Sequence, residues 1–154
     1  MKRVLVPDEI EQLARVTVNA AFTVHRTLGP GLLESAYQQC LAIELAHHGL
    51  PVERETSLPL VYRQQPIETS YRLDLIVGGQ LLVELKAAEK VLPIHQAQVV
   101  TYLRLLKLPL GLLINFNVPL IKDGITRVLN LDFQAEVEPG SGANLGSALR
   151  VVAS

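Results

Sequence analysis

A chain of 154 residues with 14 Lys and Arg against 15 Asp and Glu has a formal net charge of -1, which excludes a surface coated in nucleic-acid-binding charge while leaving room for one local basic patch. Hydrophobic residues make up 49 % of the chain and aromatics 5 %, with no Trp, so the length suits one domain built on an aliphatic core. The single cysteine, Cys40, rules out an internal disulfide and a cysteine-based zinc site; set among apolar residues, it reads as a buried, inert thiol.

The first residues, Met1 to Glu9, include Lys2 and Arg3 but no apolar run of signal-peptide type, and no segment approaches the ~20 apolar residues of a membrane span. A cytoplasmic location is expected. Asp8 and Glu11 have capping-box spacing. Ile10, Leu13, Ala14, Thr17, Ala20, Ala21, Val24 and Leu28 then recur at helical intervals. The first helix is predicted from about Glu9 to Leu28, broken by Gly29-Pro30-Gly31. A second runs from about Leu32 to His48, with Leu33, Tyr37, Cys40, Leu41 and Leu45 as its apolar stripe and Gly49 as its stop. Glu44 lies within that stripe and is expected to pair with a buried Arg or Lys.

Val52 to Thr56 and Leu58 to Tyr62 read as short strands around a Gln64-Gln65-Pro66 turn. Ile67 to Val77 and Gln80 to Lys86 read as a hairpin joined at Gly78-Gly79. Pro93 opens a third helix, to about Lys107, followed by an apolar strand from Leu110 to Phe116. A turn at Asp123-Gly124 leads into a last strand, Ile125 to Leu131. Residues 1–133 form the expected domain, and the Gly-, Ala- and Ser-rich stretch 134–154 is expected to be a flexible tail. The order α-α-β-β-β-α-β-β predicts an α/β (α+β) fold, a mixed sheet flanked by helices.

The hairpin carries the chemistry. Its strands are apolar on both faces, yet they hold Asp74, Glu84 and Lys86, and charge in such surroundings costs several kcal/mol unless it is paired or bound to a metal. Two carboxylates on neighbouring strands can hold Mg²⁺, which takes oxygen ligands and keeps several waters. Lys86 projects from the same strand face as Glu84 and can orient or deprotonate a water or neutralise developing charge. Register is decisive. A two-residue Gly78-Gly79 loop sets Asp74 opposite Val83, whereas a three-residue loop ending at Gln80 sets it opposite Glu84. A structural ion pair on a half-exposed hairpin is the competing reading. Glu34 can bring a third carboxylate from the second helix, or merely satisfy that helix's dipole. Gln98 and Tyr102, four apart on the third helix, share a face.

The series His25-Arg26-x-Leu28-Gly29-Pro30-Gly31-x-x-Glu34-x-x-Tyr37, Glu44-Leu45, Asp74, Glu84-x-Lys86, Gln98-x-x-x-Tyr102 and Gly111 to Phe116 resembles the GxxExxY protein family, grouped with the PD-(D/E)XK nuclease superfamily. The resemblance implies a restriction-endonuclease-like α-β-β-β-α-β core and a phosphodiesterase site using Mg²⁺ or Mn²⁺. It implies Glu34, Asp74, Glu84 and the Leu85 carbonyl as metal-site groups, Lys86 as the catalytic lysine, and Gln98 with Tyr102 as an element similar to that of RecB-like members. Leu73 stands before Asp74 where the superfamily's name has Pro. The expected partner is nucleic acid, DNA before RNA, with Arg72, Lys90, Arg104 and Lys107 as candidate phosphate contacts and a homodimer or a protein partner as the source of specificity. The alternative is a catalytically inactive binding or assembly module that keeps the nuclease fold.

Overall fold

The structure, a computed structural model, describes residues 3–68, 71–134 and 149–153. A short strand, β1 (Arg3–Pro7), leads directly into α1 (Asp8–Leu28). Pro7, with φ fixed at -53°, occupies the N-cap position, and no side chain caps the helix there. The capping box expected at Asp8 and Glu11 therefore does not form. Glu11 instead turns inward and takes both guanidinium nitrogens of Arg127, at 2.7 and 3.0 Å. α1 ends at Gly29, whose φ of 69° suits glycine.

α2 (Glu34–His47) starts later than its apolar pattern suggests, because Leu33 is still extended. Tyr37, Leu41 and Leu45 are fully buried on its inner face, while Cys40 is only half-buried. Glu44 does not meet a buried cation. It lies 3.5 Å from His48, one turn on, near the surface.

The main sheet has five strands in the order β2 (Val52–Ser57), β5 (Arg72–Val77), β6 (Leu81–Lys86), β7 (Leu110–Asn115) and β8 (Ile125–Leu129). All pairs are antiparallel except β6–β7, which α3 (Pro93–Leu106) connects as a parallel crossover. The sheet is therefore mixed. α1 and α2 cover one face, packing on Leu75, Val77, Val83, Leu85, Leu112 and Ile114. α3 covers the other, where Val99 and Leu103 pack against Leu73, Ile76, Leu82 and Leu113. Burial on both faces explains why β6 and β7 are nearly continuous runs of Leu, Val and Ile. From α2 onward, α2–β2–β5–β6–α3–β7 gives the α-β-β-β-α-β order expected above.

Several segments depart from the sequence-based expectation. Leu58 to Tyr62 is not a full strand. Pro59 removes a ladder donor, and only β3 (Val61–Tyr62) pairs, with β4 (Gln65–Pro66), in a small hairpin outside the main sheet. The hairpin strand expected from Ile67 begins at Arg72, with Thr69 and Ser70 outside the described residues. The turn expected at Asp123-Gly124 is a short 3-10 helix, Ile121–Gly124. Of the stretch expected as a flexible tail, residues 135–148 and 154 lie outside the described residues, and β9 (Leu149–Ala153) pairs antiparallel with β1. Among the described residues no helix is long and apolar enough to cross a membrane.

Candidate functional site

The site forms where β5 and β6 part. Their ladder pairs Val77 with Leu81, Ile76 with Leu82 and Leu75 with Val83. The turn holds Gly78 and Gly79, at φ 58° and 68°, and Gln80 as an extra residue whose N–H donates to the Val77 carbonyl. This is the three-residue register, and it brings Asp74 level with Glu84. Beyond Leu75 the main chains no longer bond to one another. The Leu85 N–H donates to Asp74 Oδ2 at 2.8 Å, and the Asp74 N–H donates to Glu84 Oε1 at 3.1 Å. The two carboxylates thus stand in for the missing rungs of the ladder.

Alternation also breaks here. Leu73 and Ile76 both belong to the α3-side core, three residues apart, so the backbone kinks at Asp74 and turns the carboxylate into the gap between the strands. On its other flank Asp74 faces Glu55 of β2, within the Arg54–Leu75 and Thr56–Leu73 pairs. Glu55 has a φ of 54°, a left-handed conformation that a glutamate adopts only under local constraint. The buried Gln38 of α2 bridges the two acids. Its Nε2 donates to Glu55 Oε1 at 3.1 Å and to Asp74 Oδ1 at 3.4 Å, while its Oε1 accepts from Arg54 at 3.2 Å. Neither Gln38 nor Glu55 stands out in the sequence as a site residue. The available signal was weak: a glutamine within α2's inward stripe, and an acid between Arg54 and Thr56.

Electrostatics define the extent of the centre. Glu84 is buried, and burial together with the adjacent Asp74 carboxylate pushes its pKa up to about 8. Glu34, at the first position of α2, is also pushed up, by burial and then by Asp74, while Lys86 pulls it down. Glu34 therefore lies close enough to sense the pair. Burial raises the Tyr102 hydroxyl as well, with Glu84, Tyr71 and Asp74 adding to it. Asp74 and Lys86 are half-buried, so the gap is not sealed.

The loop before α2 is pinned by the tyrosine of its own motif. Tyr37 Oη donates to the Gly29 carbonyl at 2.5 Å and accepts the Leu32 N–H at 3.1 Å. Its ring stacks on Phe116, with centroids 4.5 Å apart and planes 12° off parallel. The Phe116 N–H in turn donates to the Lys86 carbonyl. One ring stack thus couples the start of α2, where Glu34 sits, to the end of β6, where Lys86 sits. Asn115 does the same for the next loop: its buried amide exchanges hydrogen bonds with both the N–H and the carbonyl of Ala88.

Asp74, Glu84 and Lys86 therefore come together with Glu34 at their edge. Gln98 and Tyr102 share a face of α3 and line one groove beside the centre, and Gln98 is exposed. Arg72 lies 3.7 Å from Glu55, and Arg104 pairs with Asp132 at 3.2 Å, so neither is an uncommitted cation. Among the described residues no group of three or more His, Cys, Asp and Glu is placed to hold a metal ion. Two carboxylates with one oxygen each already on a backbone N–H fit, at most, a loosely held divalent ion that keeps most of its waters. They do not make a closed cage.

A family model of the PD-(D/E)XK nuclease superfamily matches residues 11–128 of this chain. That span runs from the second turn of α1 almost to the end of β8, and so takes in α2, β2, β5, β6, α3 and β7 together with each residue of the centre. The chain belongs to this superfamily. Searches of curated proteins and of solved structures give no match.

Proposed function

We propose that this member of the PD-(D/E)XK nuclease superfamily acts, in the form described, as a nuclease-fold module that binds nucleic acid, DNA before RNA, and is not a preformed hydrolase. The observation that carries this reading is the state of the two acids. Asp74 and Glu84 each spend an oxygen on a backbone N–H of the hairpin, and among the described residues no third His, Cys, Asp or Glu is placed to complete a metal site with them. With its pKa pushed up to about 8 by burial and by Asp74, Glu84 is mostly protonated at neutral pH, which lowers the negative charge of the pair. A phosphodiester approaching the centre therefore meets less negative charge than a fully ionised pair would present.

The second reading is a Mg²⁺- or Mn²⁺-dependent phosphodiesterase, and the same raised Glu84 favours it. A buried carboxylate beside a half-buried one that opposes its charge forms a site that gains from a cation. Asp74 and Glu84 would hold the ion, with the Leu85 carbonyl as a further ligand and Glu34 tuning the site. When bound, the ion would supply a water of lowered pKa and a Lewis acid at a phosphoryl oxygen. Lys86 would then orient the attacking water or neutralise charge on the phosphate, and Gln98 would help to position that water.

Thermal melts with millimolar Mg²⁺ or Mn²⁺ separate the two readings, alongside cleavage assays on labelled single- and double-stranded DNA and RNA. The module reading expects bound but uncut DNA and no rise in melting temperature. A rise that disappears in Asp74→Ala, with cleavage that disappears in Lys86→Ala, would transfer the assignment to the hydrolase.

A further inference from the structure

Beside the centre, on the α3 face of the sheet, runs a groove of about 300 Å³. One wall is the chain that leaves β2 and enters β5, with Leu58 and Tyr71 held together by a hydrogen bond from the Leu58 N–H to the Tyr71 carbonyl at 3.1 Å. The other wall is a single face of α3, on which Ile94, Gln98, Tyr102 and Leu105 follow one another at helical intervals. Ile94 and Tyr71 are 58 % and 53 % exposed, so this helix face has no partner within the described chain. The groove has an apolar floor, two phenol rings, one carboxamide and the Thr101 hydroxyl, which donates to the Ala97 carbonyl, and no charged side chain lines it. Among the described residues, the polar ends of Tyr71, Gln98 and Tyr102 make no hydrogen bond.

Tyr102 belongs to both places. It lines the groove together with Tyr71, and its hydroxyl also feels the carboxylates of Glu84 and Asp74. Glu84 follows Leu82 of the α3-side core by two residues on β6, so it lies on the sheet face that α3 covers, and the groove adjoins the centre. A phosphate is excluded from the groove itself, because no cation there would offset its desolvation. A flat, uncharged ring with hydrogen-bonding edges matches what lines it. Tyrosine rings supply a stacking surface that accepts any base, and the Gln98 amide can both donate to and accept from a base edge.

We propose that this groove is a base-binding site. It takes one unpaired nucleobase, stacked on Tyr71 and Tyr102, from a strand whose adjoining phosphodiester lies at Asp74, Glu84 and Lys86. The inference rests on the nucleic-acid-binding reading above but not on cleavage. It adds that the chain selects single-stranded or unpaired segments, since a base inside a duplex is stacked on both faces and cannot enter.

The test uses the full chain in EDTA, so that neither metal binding nor cleavage enters. Fluorescence anisotropy of labelled oligonucleotides reads binding, and 2-aminopurine within the strand reads base stacking by its quenching. The expected result is single-stranded DNA bound about tenfold more tightly than the matching duplex, with 2-aminopurine quenched on binding. Tyr71→Ala, a change at an exposed side chain, and Ala97→Trp, which fills the groove from α3, should each abolish the quenching and weaken binding about tenfold. Equal binding of single strand and duplex, or quenching that persists in both variants, overturns the base site and leaves the nucleic-acid reading standing. Failure of every oligonucleotide to bind overturns that reading and this one together. A wild-type dimer that Ala97→Trp turns into a monomer would assign the groove to a second copy of the chain instead.

Discussion

Replacing Glu84 by Gln tests the electrostatics of the centre without disturbing its geometry, because the amide oxygen can still accept the Asp74 N–H. The native pKa of Glu84 lies near 8, against an ordinary 4.5, because burial and Asp74 both oppose its charge. Between those values the folded state holds a proton that the unfolded state has released. Stability must therefore fall as pH rises from about 4.5 to about 8, with the full contribution present below 4.5 and lost above 8. At about 1.4 kcal/mol per pH unit, the interval corresponds to a loss on the order of 5 kcal/mol, borne by the Asp74–Glu84 pair as a unit. Glu84→Gln removes this dependence. Urea unfolding at steps from pH 4.5 to 9 should give similar midpoints for wild type and variant at the acid end, and an increasingly more stable variant towards pH 9. Subtracting the two curves cancels the other titrating groups. A variant less stable than wild type at pH 9 would refute the reasoning, since it would mean that the fold favours the Glu84 charge.

Three further outcomes follow from the packing around the centre. Tyr37→Phe keeps the stack on Phe116 but strands the Gly29 carbonyl and the Leu32 N–H, so the urea midpoint should fall by an amount equivalent to about 1–2 kcal/mol. At Gly124 an added methyl would run into the Asn115 carbonyl, with Val118 Cγ2 also only 3.0 Å away. Gly124→Ala should cost roughly 2 kcal/mol or more, read as a lower melting temperature. Glu11→Ala leaves the half-exposed Arg127 without its carboxylate and should cost roughly 2 kcal/mol. The double variant Glu11→Leu, Arg127→Met should recover most of that loss, and the double-mutant cycle measures the coupling.

The parts of the fold visible in the sequence are those where one local rule decides. Gly29-Pro30-Gly31 interrupts a helix, and the nearly continuous aliphatic runs of β6 and β7 read as strands covered on both faces. Asp74 and Glu84 stood out because a carboxylate within such a run needs a reason to be there. The residues without a local signal depend on distant partners. Gln38 is one glutamine on a helix until β2 and β5 bring Glu55 and Asp74 against it. The left-handed backbone of Glu55 leaves no mark in composition. Glu11 has the spacing of a capping residue, and only the arrival of Arg127, 116 residues later, gives it another use. Leu58 to Tyr62 has the apolar content of a strand, but Pro59 spoils the ladder and leaves Leu58 free to wall the groove.

Because β6 is apolar on both sides, hydrophobic packing hardly distinguishes one alignment of the hairpin from its neighbour. A slip of one position would exchange Leu for Leu or Val in the core while sending Glu84 and Lys86 to the opposite surface. Gln80, the additional residue of a glycine turn, is what forbids that slip. The side of the sheet on which the two acids and the lysine stand is thus written in the length of a loop, and deleting Gln80 should keep the strands while taking Glu84 out of register with Asp74.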